Sequence, residues 1–283
     1  MIKLAVIGDP IEHSLSPLVH TTALKAIGIE CEYKRLCVKK GGLKEFWEYA
    51  IADKIDGFNL TMPHKVDILP FLSEIDTEAK RFESVNTVKV INGKLYGYNT
   101  DSDGYCESLK SANRSFNQSR VVIIGAGGVV RTLALKAAYE GARSIIILNR
   151  TAEKAISIAE TVKKKTGCNI SGGTFNESEL SRFCSECDIL INATPLGMSG
   201  VKSDFNDFSF LNALPKNALV SDLIYNPDRT RLLEQAAALG LDTLNGLGML
   251  IYQALLADKI YTGASFDMKK VFEATAAAVR NSI

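Results

Sequence analysis

Histidine, cysteine and net charge are all scarce in this chain. Its 283 residues include three histidines and six cysteines, and 33 basic side chains against 32 acidic ones leave a formal net charge of +1. A chain this close to neutrality has no overall attraction for nucleic acid, an anionic membrane surface or a strongly acidic partner. We therefore expect no nucleic-acid or membrane partner, and any charge-based recognition should be local.

Long apolar runs are missing as well. The N-terminal "MIKLAVIGDP" breaks its apolar stretch at Asp9 and Pro10, too early for a signal peptide, and no later segment sustains the apolar length that a bilayer requires. The sequence therefore predicts a cytoplasmic protein.

The cysteines do not form a disulfide framework, and we expect reduced thiols. They are scattered at Cys31, Cys37, Cys106, Cys168, Cys184 and Cys187. The last two form a CxxC, but neither a second pair nor a histidine cluster accompanies it. Small, partly buried residues at a helix end explain this pair better than a zinc or redox site, and we expect no metal.

What the chain does contain is α/β patterning. With 46% hydrophobic residues it can bury a substantial core, and its length favours two domains. Up to about residue 98, β-rich runs such as "KLAVIG" and "GFNLT" alternate with helical stretches such as "SPLVHTTALKAIG", and a hairpin is predicted at Asn92 and Gly93. A helix over about 102–112 follows.

The second half is typical of a Rossmann-type, doubly wound unit. Its strands "VVIIG", "SIIIL", "DILINAT" and "ALVSDLI" are apolar over most of their length, as expected of a parallel sheet covered on both faces. Two helical stretches finish the chain, and we expect at least the first, "MLIYQALLADKIYT", to return to the N-terminal domain. The predicted domains are residues 1–105 with 245–283, for the substrate, and residues 106–244, for the nucleotide.

A glycine-rich turn follows the first of these apolar strands. Gly125, Gly127 and Gly128 stand between "VVII" and the helical "VVRTLALKAAYEG". Glycines let backbone N–H groups approach a pyrophosphate, and the helix N-terminus adds a positive field. Val130 occupies the third position of the dinucleotide fingerprint, where its side chain would hold helix and strand slightly apart. A helix packed close to a strand, without a ligand, remains the alternative.

The next strand ends in "ILNRTAEK", where many nucleotide-binding units carry an acid for the ribose hydroxyls. An acid would repel a 2′-phosphate, whereas the guanidinium of Arg150 offers it a fork of donors, so the sequence predicts NADP(H) as cofactor. Asn149 and Thr151 add neutral donors. Lys154 either adds a second charge or is a solvated surface residue, while the lysines at 163–165 suit the dipole at the end of the following helix.

Two later loops follow strand ends, where ligands bind in open α/β sheets. "NATPLGM" spans Asn192 to Met198 and "DLIYNP" spans Asp222 to Pro227. We expect the first to line the nicotinamide side of the site, and the same reasoning applies to the second. Proline-bearing loops also occur without a function, so neither is strong evidence alone.

The N-terminal half should then supply the substrate site. Ser14 and Ser16, two apart in an extended segment, would aim both hydroxyls the same way and hold a carboxylate, although a serine before proline is also a good N-cap. Lys65 follows a strand in "NLTMPHK", where partial burial would suit it to proton transfer. Asn86 in "VNT" and Asp101 in "GYNTD" complete the set, and Asp101 is also a candidate helix cap.

Together these segments resemble the shikimate dehydrogenase family from end to end, through "SLSPLVH", "NLTMPHK", "VNT", "GYNTD", "GAGGVVR", "NRT", "NATPLGM", "DLIYNP" and "GLGMLIYQA". The resemblance implies reversible NADPH-dependent reduction of 3-dehydroshikimate to shikimate, in aromatic amino-acid biosynthesis. It also implies a catalytic domain made of the N-terminal half and the C-terminal helices. A cleft between two lobes is expected.

The resemblance also assigns roles residue by residue. Lys65 and Asp101 would form the catalytic pair. Substrate would contact Ser14, Ser16, Thr61, Asn86, Gln253 and Tyr225. The cofactor would contact Gly125, Ala126, Gly127, Gly128, Asn149, Arg150, Thr151, Lys154, Thr194, Met198, Gly246 and Met249. Tyr225 would also line the cleft near the nicotinamide.

Two positions depart from the family pattern. Val130 stands where a small residue is usual, which bears on cofactor affinity, and Thr21 replaces an asparagine, which bears on packing or on the substrate pocket. A quinate/shikimate dehydrogenase that accepts NAD and a non-catalytic NADP-binding sensor are the rival functions. The sequence leaves open whether the protein is a monomer or a homodimer.

Overall fold

A computed structural model describes the backbone of residues 1–283 and all side chains except those of 177–179. The strands are β1 (Ile2–Gly8), β2 (Cys31–Cys37), β3 (Gly57–Leu60), β4 (Glu74–Ile75), β5 (Thr87–Ile91), β6 (Lys94–Tyr98), β7 (Arg120–Ile124), β8 (Ser144–Asn149), β9 (Ile170–Thr174), β10 (Ile189–Asn192), β11 (Leu219–Asp222) and β12 (Asp242–Leu244). The helices are α1 (Ser16–Ala26), α2 (Leu43–Ala52), α3 (His64–Asp67), α4 (Thr77–Phe82), α5 (Asp101–Ser111), α6 (Gly128–Tyr139), α7 (Ala152–Thr166), α8 (Glu177–Cys184), α9 (Arg231–Ala238), α10 (Leu247–Thr262) and α11 (Met268–Arg280).

The chain folds into two compact units. The first unit is Met1–Gly104 with Ile251–Ile283, and the second unit is Tyr105–Leu250. The chain passes from one unit to the other within α5 and returns within α10. In the part of the chain described here, no helix has both the length and the apolar character needed to cross a membrane.

The first unit is built on a mixed sheet in the order β2-β1-β3-β5-β6-β4. β5 and β6 form the predicted hairpin, since Asn92 and Gly93 both adopt positive φ, as a two-residue turn of type I′ requires. A core of apolar side chains from β1, β3, β5 and α2 includes Phe46 and Phe58, whose rings meet edge to face with centroids 4.9 Å apart.

The C-terminal helices complete this first unit. Tyr261 of α10 packs with Leu4 of β1 and Leu24 of α1, and a Cβ at Gly57 would lie 2.5 Å from the Tyr261 ring. His20 of α1 and Asp258 of α10 are buried and joined by a 2.6 Å contact between Nδ1 and Oδ1. Burial raises the pKa of Asp258, and the His20 ring opposes that rise. From Ile251 onward, the first C-terminal helix thus belongs to the first unit and packs on its N-terminal part.

The second unit has a parallel sheet in the order β12-β11-β10-β7-β8-β9. This is the doubly wound arrangement, in which the strand order reverses beside the first strand of the unit, here β7. Every residue of β10 and β11 is buried, including the polar Asn192, Ser221 and Asp222 at their carboxyl ends. Burial on both faces explains the apolar residues that precede them. The predicted fold class is confirmed.

Several local predictions were wrong or incomplete. The helix expected over about 102–112 is present as Asp101–Ser111, but β4, β9 and β12 were not anticipated. Cys184 and Cys187 are fully buried free thiols rather than partly buried ones, and burial raises the pKa of Cys184 to about 12. Among the described side chains, no three His, Cys, Asp or Glu residues gather in a way that could hold a metal ion.

Candidate active site

Lys65 and Asp101 form an ion pair in the first unit. Lys65 lies in α3, shortly after β3 ends, and Asp101 is the first residue of α5, shortly after β6 ends. Lys65 Nζ donates to Asp101 Oδ2 at 2.7 Å, and the two side chains are 32% and 14% exposed. The pair is therefore sheltered but still open to a small molecule, as a proton donor for a bound substrate must be.

Asn86 joins this pair to a C-terminal helix. Its Nδ2 donates to Asp101 Oδ1 at 2.8 Å, to Thr100 Oγ1 at 3.0 Å and to Gln253 Oε1 at 3.4 Å. α10 comes this close because Gly104, three residues after Asp101, has no side chain: a Cβ there would lie 2.5 Å from the Gln253 backbone nitrogen. The fold thus gathers Lys65, Asp101, Asn86 and Gln253 from four distant parts of the sequence.

A second layer of polar side chains holds Asn86 from behind. Thr87 Oγ1 donates to Asn86 Oδ1 at 2.9 Å, and Asn59 Nδ2 donates to Thr87 Oγ1 at 3.1 Å. Tyr33 OH donates to Asn59 Oδ1 at 2.7 Å. None of these three residues was expected at the site from the sequence. Asn59 carried a usable signal, because an amide in the fully buried strand "GFNL" requires a partner.

The serine pair lies where α1 begins. Ser14 Oγ donates to Ser16 Oγ at 3.1 Å, so the two hydroxyls are adjacent as expected. The extended backbone assumed for them is wrong, because Leu15 between them is in the αR region, with φ −85° and ψ 0°. Ser16 as an N-cap is also wrong: Leu15 holds the cap position, and no side chain caps this helix.

Thr21 and Thr61 also have defined surroundings. Thr21 Oγ1 donates to the Pro17 carbonyl at 2.7 Å, so the hydroxyl that departs from the family pattern is bonded within α1. Thr61 follows β3, and its backbone N–H donates to the Ile7 carbonyl at 3.0 Å. Its methyl group fills the space beside Gly8, where any side chain would collide with it.

The glycine turn of the second unit lies between β7 and α6. Gly125 has φ +117°, and a Cβ there would lie 2.8 Å from the Ala193 carbonyl oxygen, so only glycine fits. Gly127 and Gly128 are exposed with open space above them, and Gly127 occupies the N-cap of α6 without a side-chain cap. Ala126 is half-buried, while Val130 is fully buried in the interior. The first-turn N–H groups can therefore face a phosphate.

A cavity of about 580 Å³ opens beside this turn. Gly125, Asn149, Arg150 and Thr194 are among the residues that line it. Arg150 is exposed, and Asn149 Nδ2 donates to the Thr151 carbonyl at 2.9 Å. Thr151 is the N-cap residue of α7, and Lys154 is exposed in the first turn. Of the residues described, Lys154 is not among those that line the cavity. The lysines at 163–165 lie in the last turn of α7, as predicted.

The loops "NATPLGM" and "DLIYNP" stand at the ends of β10 and β11. Ser199, directly after the first loop, joins it to the second: Ser199 Oγ donates to Asn226 Oδ1 at 2.9 Å, and Ser199 N donates to the Asn226 carbonyl at 2.9 Å. Met198 is 41% exposed and Met249 is half-buried. Burial raises the pKa of Tyr225. Gly246 is buried against the Leu223 carbonyl, where any side chain would collide with it.

Asp222, at the end of β11, is hydrogen-bonded to residues of both loop regions. It is completely buried, and its carboxylate accepts hydrogen bonds from Asn192 Nδ2 at 3.1 Å and from Thr230 Oγ1 at 2.7 Å. Asn192 Oδ1 in turn accepts from Thr194 Oγ1 at 2.7 Å. Burial raises the pKa of Asp222 to about 6, and the hydrogen bonds only partly offset that effect.

Replacing Asp222 with asparagine should flatten the pH dependence of stability. Because the pKa of Asp222 is raised in the folded chain, the unfolded chain loses its proton first, and the free energy of unfolding falls as pH rises from about 4 to about 6. This fall in the free energy of unfolding amounts to about 3 kcal/mol at most. Urea unfolding of both proteins at several pH values measures it. Equal slopes for the wild type and Asp222→Asn would contradict the assignment.

Comparisons with known proteins agree with this geometry. The family model for the shikimate dehydrogenase substrate binding domain matches residues 6–88, and the model for shikimate / quinate 5-dehydrogenase matches residues 107–201. The shikimate dehydrogenase (NADP(+)) of Alkaliphilus metalliredigens is 40% identical over 269 residues, which is 95% of this chain and 94% of that protein.

Two solved structures extend the likeness over the whole chain. A shikimate dehydrogenase in complex with NADP+ is 36% identical, with a TM-score of 0.87 over 100% of this chain and 96% of that one. The ligand-free 5-ketofructose reductase of Gluconobacter sp. strain CHM43 is 33% identical, also with a TM-score of 0.87, over 100% of this chain and 99% of that one. With both family models and a 40% identical relative aligned along nearly its full length, the chain belongs to the shikimate dehydrogenase family.

Proposed function

We propose that this chain catalyses the reversible, NADPH-dependent reduction of 3-dehydroshikimate to shikimate, a step of chorismate and aromatic amino-acid biosynthesis. The observation that carries the proposal is the sheltered contact of 2.7 Å between Lys65 Nζ and Asp101 Oδ2, in a family of NADP-dependent oxidoreductases that act on a CH–OH group. The first unit would bind the substrate and the second unit would bind the cofactor.

Two groups of side chains would hold the substrate. The adjacent hydroxyls of Ser14 and Ser16 are neutral donors suited to its carboxylate. The side-chain amides of Asn86 and Gln253 lie beside the ion pair. Each amide can both donate and accept, so the two would form hydrogen bonds with the hydroxyl groups of the substrate ring. Thr61 and Tyr225, both half-buried residues, would complete the contacts.

The protein's own side chains would supply the proton that the reduction requires. NADPH, when bound, supplies a hydride to the ketone carbon. Negative charge that develops on the ketone oxygen must be neutralised by a proton. The Lys65 ammonium of the ion pair would donate that proton. Asp101 would orient the ammonium and bond the substrate hydroxyl. In the direction of alcohol oxidation, neutral Lys65 would accept the proton.

The second unit has the features that NADP(H) requires. Open space above Gly127 and Gly128, at an uncapped helix N-terminus, suits a pyrophosphate. The exposed guanidinium of Arg150, in the wall of the neighbouring cavity, suits the 2′-phosphate of the adenosine. Thr194, Met198, Gly246 and Met249 would lie nearer the nicotinamide, with Asn149, Thr151 and Lys154 toward the adenosine.

Coupled oxidation assays test the function directly. At alkaline pH, which favours oxidation because the reaction releases a proton, shikimate should reduce NADP+ at least ten times more efficiently than NAD+, as expected when about 1.4 kcal/mol separates the two cofactors. Quinate should be a poor substrate in the same assay, and 5-ketofructose should be a poor substrate in the reverse assay with NADPH. Preference for quinate with NAD+ would support the relaxed rival, and binding of NADP+ without turnover of any of these compounds would support a sensor.

We also propose the compartment, partners and oligomeric state of the enzyme. We expect a cytoplasmic protein with small-molecule partners only, working as a monomer or a homodimer. The near-neutral charge of the chain supports this expectation, since it offers nucleic acid no general attraction.

A further inference from the structure

Lys202 shares the wall of the Arg150 cavity, although no motif marks it. The cavity is bounded by the ends of β7 and β8 and by residues 194–196 and 201–204 of the loop after β10. Arg150 comes from the end of β8 and Lys202 from that loop, and both side chains are exposed. Two cations from separate segments therefore border one cavity.

The backbone around Lys202 is held in place on both sides. Gly197 N donates to the Ser203 carbonyl at 3.1 Å, which closes the loop, and Val201 N donates to the Met198 carbonyl at 3.0 Å. Three residues after Lys202, Phe205 is 1% exposed and meets Phe175 edge to face, with ring centroids 6.0 Å apart. Only the Lys202 side chain has to be ordered when a ligand binds, so the entropic penalty is that of one side chain.

The acidic side chain at this cavity has a partner of opposite charge, whereas the two basic side chains do not. Asp204 also borders the cavity, but its carboxylate pairs with Arg231 Nη1 at 3.2 Å and accepts from Phe205 N at 2.8 Å. Among the described side chains, neither Arg150 nor Lys202 has an ion-pair or hydrogen-bond partner. The cavity therefore presents two uncompensated positive charges, as a site for a dianion would.

We infer that Lys202 is the second cation that binds the 2′-phosphate of the adenosine, together with Arg150, and that it sets the preference for NADP(H) over NAD(H). The inference rests on the proposed cofactor site of the second unit. It differs from the motif-based expectation, which gave the second charge to Lys154. Lys154 is exposed in α7 and, in the part of the chain whose side chains are described, does not border the cavity.

Calorimetric titration of the full-length chain with adenosine 2′,5′-bisphosphate tests the inference without turnover. Adenosine 5′-monophosphate, which lacks only the 2′-phosphate, is the matched ligand. Lys202→Ala should weaken binding of the bisphosphate on the order of 10-fold and leave the monophosphate unchanged, because a lost charge-assisted hydrogen bond affects only the missing phosphate. The loss should shrink at high salt. Lys202→Arg should retain binding. Lys163→Ala, which removes an exposed lysine from the last turn of α7, should bind like the wild type.

The outcomes separate this inference from the proposed function. If the wild type prefers the bisphosphate and Arg150→Ala abolishes that preference while Lys202→Ala keeps it, the role of Lys202 is refuted and the cofactor proposal survives. A larger loss for Lys154→Ala than for Lys202→Ala would also refute it. A wild type that binds the two ligands equally would overturn the cofactor proposal itself, and the role of Lys202 with it.

Discussion

Lys65→Ala should lower kcat by ~100- to 10,000-fold, the range expected when the acid of a proton transfer is removed. The shikimate KM should stay within several-fold of the wild-type value, because serine, threonine and amide groups would supply most of the substrate contacts. The physical reason is that the variant lacks the ammonium, 2.7 Å from Asp101, whose proton would be transferred to the developing alkoxide. Steady-state kinetics in both directions measure the effect.

Two further variants make this result specific. Lys65→Arg keeps the positive charge beside Asp101, but a guanidinium does not release its proton, so kcat should still collapse while substrate binding persists. Lys94→Ala removes an exposed lysine at the start of β6 and should leave kcat unchanged. Near-normal turnover by either Lys65 variant would overturn its assignment as the acid.

Arg150→Ala should reduce kcat/KM for NADPH by 10- to 100-fold, on the order expected for the loss of one or two charge-assisted hydrogen bonds at an exposed site. The value for NADH should change little, since NADH has no 2′-phosphate. Because Arg150 is exposed and borders an open cavity, its removal should not disturb packing. Initial rates with each cofactor at saturating 3-dehydroshikimate give the comparison.

Arg143→Ala is the control for this variant, because it removes an exposed arginine from the turn before β8. It should leave both cofactors unaffected. Equal losses with NADPH and NADH in Arg150→Ala would mean that Arg150 contacts a part of the cofactor that the two share, and the basis for NADP(H) selectivity would then lie elsewhere.

The sequence predicts the sheets well where burial dictates composition. β10 and β11 are buried along their whole length, so their apolar runs were readable without a structure. β9 and β12 lie at the two edges of the same sheet, carry glycine, threonine and exposed positions, and escaped prediction for that reason. The hairpin at Asn92 was readable because its turn chemistry is local.

The site is less accessible to sequence reasoning, because its geometry depends on tertiary structure. Lys65 and Asp101 are 36 residues apart, and Asn86 and Gln253 are 167 apart, so the resemblance rather than any spacing brought them together. Ser16 was weighed as an N-cap because Pro17 follows it, yet the helix begins one residue earlier. Lys202 drew no attention, since a lysine in a polar loop has no local signature until a cavity appears beside it.

The discontinuous first unit makes its completion depend on the end of translation. Residues 105–250 leave the ribosome as one contiguous unit, which can fold as soon as it has emerged. His20 and Leu24 can form their contacts with Asp258 and Tyr261 only after the C-terminal helices have been synthesised. Until then the nascent N-terminal half carries an open apolar surface that chaperones or proteases can recognise. A premature stop before Ile251 would therefore leave the first unit incomplete while sparing the second unit.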